Sequence, residues 1–179
     1  MIKAYFFDWM NTIGNVANEN VIGTLIPPAS HDSLLIEKFE NADLPKDKRK
    51  EIFQYITTTN LNLYPDSEEV INCLKSNYKL AIVSNMYEIT ARRIRRQFPT
   101  FLNKFNVVTL SFEVGMKKPD WRIFLYTLNA LNETCRTDIS LSEVMMVGDL
   151  QVDDINPAIQ LGMQARLINR TKQNLVDVI

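Results

Sequence analysis

Hydrophobic positions along this chain follow two alternating rhythms. Short apolar runs of about five residues, a usual length for a buried strand, occur at Lys3 to Phe7, Lys79 to Val83, Asn106 to Leu110, Val144 to Val147 and Gln164 to Ile168. Their near-continuous apolarity suits strands covered on both faces. Between them the spacing is helical. Asp66 with Glu69 three residues later makes a capping-box-like start, and Val70, Ile71 and Leu74 continue a helix to about Ser76. Tyr87, Ala91, Ile94 and Phe98 share one face of a second helix, which Pro99 stops. Pro119 and Asp120 open a third, running through Ile123, Phe124, Leu128 and Leu131. A fourth begins near Asp153 and ends at Gly162.

Strands alternating with helices predict an α/β protein, a three-layer Rossmann-like parallel sheet wrapped by helices. One stretch breaks the alternation. Residues 13–63 contain Pro27-Pro28, an amphipathic segment around Leu34, Leu35, Ile36 and Phe39, and the charged run Lys46 to Lys50 before Ile52, Phe53 and Ile56. This is too long for a simple crossover, and it predicts a small helical cap inserted after strand 1. The organisation expected is a core of residues 1–12 and 64–179 with a cap of residues 13–63. Neither an internal repeat nor a low-complexity tract is present.

Composition narrows the chemistry. In 179 residues, 20 Lys and Arg stand against 21 Asp and Glu, a formal charge of −1 that gives no global attraction to nucleic acid or anionic membrane. A chain of this size buries roughly 70% of its unfolded surface and needs no metal or disulfide staple. The single His31 excludes mechanisms needing two imidazoles, and Cys73 and Cys135 are too far apart for a zinc knuckle or a redox pair. Any catalysis therefore falls to carboxylates. No run approaches a membrane span and the apolar N-terminus is too short for a signal peptide, so a soluble, cytoplasmic protein is expected.

In open α/β sheets ligands bind beyond the carboxyl ends of the strands. Here those ends are polar. The first runs Phe7-Asp8-Trp9-Met10-Asn11-Thr12, the second ends Val83-Ser84-Asn85, the fourth ends Val147-Gly148-Asp149, and Lys117-Lys118-Pro119-Asp120 precedes the third helix. In this order and spacing the chain resembles the haloacid dehalogenase-like (HAD) superfamily, its helical-cap phosphatase-like branch. Asp8 and Thr12 match the first motif, Ser84 the second, Lys118 the third, and Gly148-Asp149 with Asp154 the fourth. Asn11 stands where the family usually has Gly, and Asn tolerates left-handed backbone best among the remaining residues.

The resemblance implies a Mg²⁺-dependent phosphatase acting on a small phosphorylated substrate. Asp8 would attack phosphorus and form an aspartyl-phosphate. Mg²⁺ would be held by Asp8, the carbonyl of Met10, Asp149 and Asp154, an oxygen-only set that favours magnesium over zinc. Lys118 would place its charge on the phosphate oxygens, and Ser84, Asn85, Thr12 and Trp9 would contact the substrate or order the loop. Met10 departs from the pattern. The family's general acid/base aspartate belongs there, and a thioether neither donates nor accepts that proton; loss of such a group costs on the order of 10²–10⁴ in rate.

Three readings follow from Met10: a phosphatase whose proton comes from elsewhere or whose leaving group needs none, a catalytically impaired scaffold binding a phosphorylated ligand or protein partner, or phosphonatase-like C–P hydrolysis. The last needs a Schiff-base lysine, and Lys38, Lys46, Lys48 and Lys50 lie in a charged stretch unsuited to a neutral amine. Trp9 is open to stacking on a substrate or to packing against the cap. The run Arg92 to Arg96 reads first as a solvated helix face. Asp153 suits a helix cap, and Lys117 a solvated surface. A monomer or a homodimer is equally compatible with the sequence.

Overall fold

The computed structural model describes residues 1–16 and 60–179. Strands β1 (Ala4–Phe7), β4 (Lys79–Ser84), β5 (Val107–Leu110), β6 (Val144–Gly148) and β7 (Gln164–Leu167) form one parallel sheet in the order β5-β4-β1-β6-β7. All five were expected, with ends within a residue of those observed. β1 sits at the centre, with Phe7 opposite both Ile82 and Val147. Because the strand period is two, successive residues of β1 serve opposite layers.

Tyr5 and Phe7 join Leu80, Ile82, Met145 and Val147 in one core layer, covered by α1 (Ser67–Leu74) and α2 (Glu88–Gln97). Ala4 and Phe6 join Ala81, Val83, Val144 and Met146 in the other, covered by α5 (Trp121–Cys135), whose Ile123, Phe124, Leu128 and Leu131 form its buried stripe. The architecture is thus the three-layer α/β sandwich the pattern predicts. Asp120 caps α5 as expected, its carboxylate accepting from the Arg122 amide at 3.0 Å. Two short turns, α3 (Pro99–Leu102) and α4 (Ser111–Val114), complete the β4 to α5 connection.

The start of α1 differs from expectation. Asp66 stands at the N-cap but makes no capping hydrogen bond, because both its carboxylate oxygens accept from Arg170 at 2.9 Å. A charge-assisted hydrogen bond from one guanidinium nitrogen, shared between both oxygens, outcompetes a neutral backbone amide for that carboxylate. The arginines of α2 are partly neutralised: Arg92 pairs with Glu88 and Arg95 with Glu113, each at 2.5 Å. These are the two acids that flank the arginine run in sequence.

Beyond β1 the chain makes a tight turn in which the Trp9 carbonyl accepts from the amides of Thr12, Ile13 and Gly14. It then enters β2 (Gly14–Val16), which pairs antiparallel with β3 (Leu61–Leu63). This ribbon was not anticipated, and it makes both margins of the expected insertion strand rather than helix. The expected helical segments, His31, Lys38 and the Lys46 to Lys50 cluster lie in residues 17–59, outside the described residues. No helix among the described residues is long and apolar enough to cross a membrane.

Candidate active site

Three strand ends, a helical turn and a loop deliver charged or polar side chains to the carboxyl edge of the sheet. Asp8 follows β1, its amide continuing the ladder onto the Val147 carbonyl at 3.0 Å. Gly148 ends β6 and Asp149 follows it. The chain then winds through a π-helical turn, Gln151–Ile155, before α6 (Asn156–Gln160). Such turns often occur at functional sites. This one directs Asp154 inward, where it is fully buried and its Oδ2 accepts from the Leu150 amide at 3.0 Å. A Cβ at Gly148 would fall 2.2 Å from Asp154 Oδ2, so only glycine lets that carboxylate lie against β6.

Asp8, Asp149 and Asp154 each offer a carboxylate oxygen within 4.8 Å of the others. Lys118, only 2% exposed, is inserted among them: its ammonium donates to Asp8 Oδ1 at 2.7 Å and to Asp154 Oδ1 at 2.5 Å. Lys117 is exposed, so Lys118 is the lysine delivered to this edge. Asn85 secures it, donating to the Lys118 carbonyl at 2.9 Å and accepting from its amide at 2.8 Å.

The electrostatics are unbalanced. Burial alone would lower the Lys118 ammonium, but the carboxylates of Asp154 and Asp8 outweigh it and hold the group above the ordinary lysine value. It stays charged at every working pH and serves as a cation rather than a base. Asp149 is pushed up to about 8, first by burial and then by the charges of Asp8 and Asp154, against the opposing effects of Lys118 and a hydrogen bond from Asn11. Burial also raises Asp154 to about 6, with Lys118 opposing and Asp8 reinforcing. One ammonium does not compensate three carboxylates.

Three buried polar atoms of the expected set have no hydrogen-bond partner among the described residues, Ser84 Oγ at the end of β4, Thr12 Oγ1 and Trp9 Nε1. Asn11 adopts a left-handed φ of 51°, as its place in the turn requires, and its Oδ1 is likewise unpartnered. Asp8, Lys118, Asp149 and Asp154 are therefore brought together, with Ser84 at the neighbouring strand end.

Two residues of the expected set are occupied within the fold itself. Trp9 is 1% exposed, tilted against Phe98 and edge-on to Phe101, each at 6.0 Å between centroids, so it is core and not a stacking platform. The signal was available: continuing the β1 alternation places Trp9 with Tyr5 and Phe7 and leaves Asp8 on the other face. Asn85 uses both its amide nitrogen and its oxygen on the Lys118 backbone, which makes it a support for that lysine. Sequence reasoning also missed Arg170, whose Nε donates to the Thr12 carbonyl at 2.8 Å.

The chain is thus a Rossmann-like α/β protein, a parallel three-layer sandwich with a buried carboxylate and lysine centre at the carboxyl edge of its central strands. Residues 16–162 match the haloacid dehalogenase-like hydrolase family, and the chain belongs to it. It is similar to a HAD phosphatase from Thermococcus onnurineus, with 25% identity and a TM-score of 0.66, over 97% of this chain and 89% of that one. A HAD family enzyme from Bacteroides thetaiotaomicron, in complex with magnesium and inorganic phosphate, shares the fold at 18% identity and a TM-score of 0.66, over 94% and 95% of the two chains. The pyrimidine 5'-nucleotidase YjjG of Escherichia coli (strain K12) is 29% identical over 105 residues, 59% of this chain and 44% of that protein. The match thus spans less than half the length of that relative.

Proposed function

We propose that this HAD-like hydrolase is a Mg²⁺-dependent phosphatase of a small phosphorylated compound, acting through an aspartyl-phosphate on Asp8. The observation that carries the reading is the buried convergence of Asp8, Asp149 and Asp154 around Lys118. The donor set fits a magnesium ion: it is all oxygen, it carries uncompensated negative charge, and Gly148 leaves room for Asp154 beside it. Asp8, Asp149, Asp154 and the Met10 carbonyl would hold the ion. When bound, it supplies positive charge to the phosphate oxygens.

The chain's own residues do the remainder. An Asp8 carboxylate oxygen attacks phosphorus in line, the P–O bond to the leaving group breaks, and the leaving oxygen departs with the electron pair. Lys118 stabilises negative charge as a fixed ammonium, and Ser84 Oγ, unpartnered at the strand end, donates to a phosphate oxygen. Water then cleaves the aspartyl-phosphate at phosphorus. Met10 supplies no proton to the leaving oxygen, so esters with acidic leaving groups are the preferred substrates. The T. onnurineus phosphatase and the E. coli nucleotidase support a small phosphorylated compound as the substrate class. The organisation proposed is a core of residues 1–12 and 64–179, with residues 13–63 as the substrate-selecting cap.

The test is turnover of p-nitrophenyl phosphate with Mg²⁺ by the native chain and by Asp8→Asn. Turnover abolished by the substitution, by more than about 10⁴-fold, is the expected result. Activity that survives it, or no turnover of any activated ester, overturns the reading.

A further inference from the structure

Arg170 lies outside the carboxylate centre, at the far end of the sequence, and is almost wholly buried, its side chain 4% exposed. All three of its nitrogens donate. Nε reaches the Thr12 carbonyl at 2.8 Å, Nη1 both Asp66 oxygens at 2.9 Å, and Nη2 Ser67 Oγ at 3.0 Å. The guanidinium stands 4.4 Å from the centre of the Tyr64 ring. Ser67 Oγ passes the connection on to the Ile13 carbonyl at 2.7 Å, and the Leu175 amide donates to Asp66 Oδ2.

The loop that follows β1 is held to the core at its start by the Asp8 amide and at its end by this arginine. Between those anchors lie Asp8, Met10 and Asn11, whose positions decide where the nucleophile, the Met10 carbonyl and the hydrogen bond to Asp149 fall. We propose that Arg170 is a positioning residue for the phosphoryl-transfer site, fixing the Asp8 to Thr12 loop through the Thr12 carbonyl while its other arm anchors on Asp66. The proposal rests on the function assigned to that loop above. Only a guanidinium serves both arms, since a lysine ammonium is a single point charge without the fixed fork.

Arg170→Lys separates the arms, because an ammonium can keep Asp66 but not also the Thr12 carbonyl. Asp66→Asn does the converse, weakening the Asp66 arm while leaving Nε on Thr12. The readouts are amide hydrogen exchange at Thr12, Ile13 and Gly14, magnesium affinity by calorimetry, and kcat and KM on p-nitrophenyl phosphate. In Arg170→Lys, exchange at those amides accelerates about tenfold with β4 unaffected. Magnesium affinity and kcat each fall about tenfold with KM within about twofold. Asp66→Asn lowers Tm but leaves all of these within about twofold of the native values. Unchanged exchange and affinity in Arg170→Lys, or equal shifts in both variants, overturns the proposal. If the native chain hydrolyses no ester, the phosphatase reading fails, while exchange and metal affinity still decide the positioning role.

Discussion

Two buried ionic clusters flank the loop after β1, and they are built on opposite principles. Around Arg170 one guanidinium meets one carboxylate, a hydroxyl, a carbonyl and an aromatic face, and its three nitrogens all donate. Around Lys118 one ammonium meets Asp8 and Asp154, with Asp149 left beside them and Ser84 Oγ unpartnered at the adjacent strand end. Folding gains nothing from a surplus of buried negative charge. A closed cluster holds parts of the chain together; an open one is completed from outside, by a cation and an anionic substrate. The difference separates structural from functional charge without reference to motif.

The largest expected gain comes from enlarging the surplus. Met10→Asp adds a fourth carboxylate at the point where a proton donor is missing, and turnover of unactivated alkyl phosphates should rise by about 10²–10⁴. The native rates should fall steeply as the leaving group becomes less acidic, and the variant should flatten that dependence. A variant no faster than the native chain on alkyl esters would show that Met10 is not the limitation.

Breaking each cluster in turn separates a loss of stability from a loss of activity. Asp66→Ala leaves the Arg170 guanidinium buried without its counter-charge and should destabilise the fold by about 3 kcal/mol, measured by urea denaturation. Asp8→Asn removes a carboxylate from the open cluster and leaves Lys118 paired with Asp154. Metal-free stability should therefore hold or rise while activity disappears. Equal losses of stability in the two variants would erase the distinction between the clusters.

The open cluster was legible in the sequence and the closed one was not, for a physical reason. Asp8, Ser84 and Asp149 each end a buried strand, and a parallel sheet gathers strand ends along one edge, so five apolar runs sufficed to bring them together. Arg170 finds Thr12 and Asp66 across most of the chain, and such a pair leaves no local pattern. The β2–β3 ribbon escaped for a related cause: each strand has three residues and finds its partner across the whole insertion. Asn85 was placed correctly at a strand end, yet its partner is the backbone of Lys118, which residue type alone does not reveal.

The smallest expected effect concerns pH. In magnesium-free protein Asp149 is pushed up to about 8, and Asp154 to about 6, from an ordinary 3.8, chiefly by burial. Between the unfolded and folded values the native state holds protons that the unfolded chain releases, so stability falls as pH rises from about 4 through 8. Glu143 opposes this on the acid side. The Lys3 ammonium and the Ser140 amide lower it from 4.5 to about 2, so its contribution is present above 4.5 and is lost as pH falls toward 2. Magnesium binding deprotonates the open cluster and releases its protons. The Tm of chelated protein should thus decline by a few degrees between pH 5 and pH 8. Saturating magnesium should abolish that decline, and Asp149→Asn should flatten it without metal. The closed cluster predicts no such dependence on magnesium, so identical pH profiles with and without the ion would mean that the surplus around Lys118 is not where the cation binds.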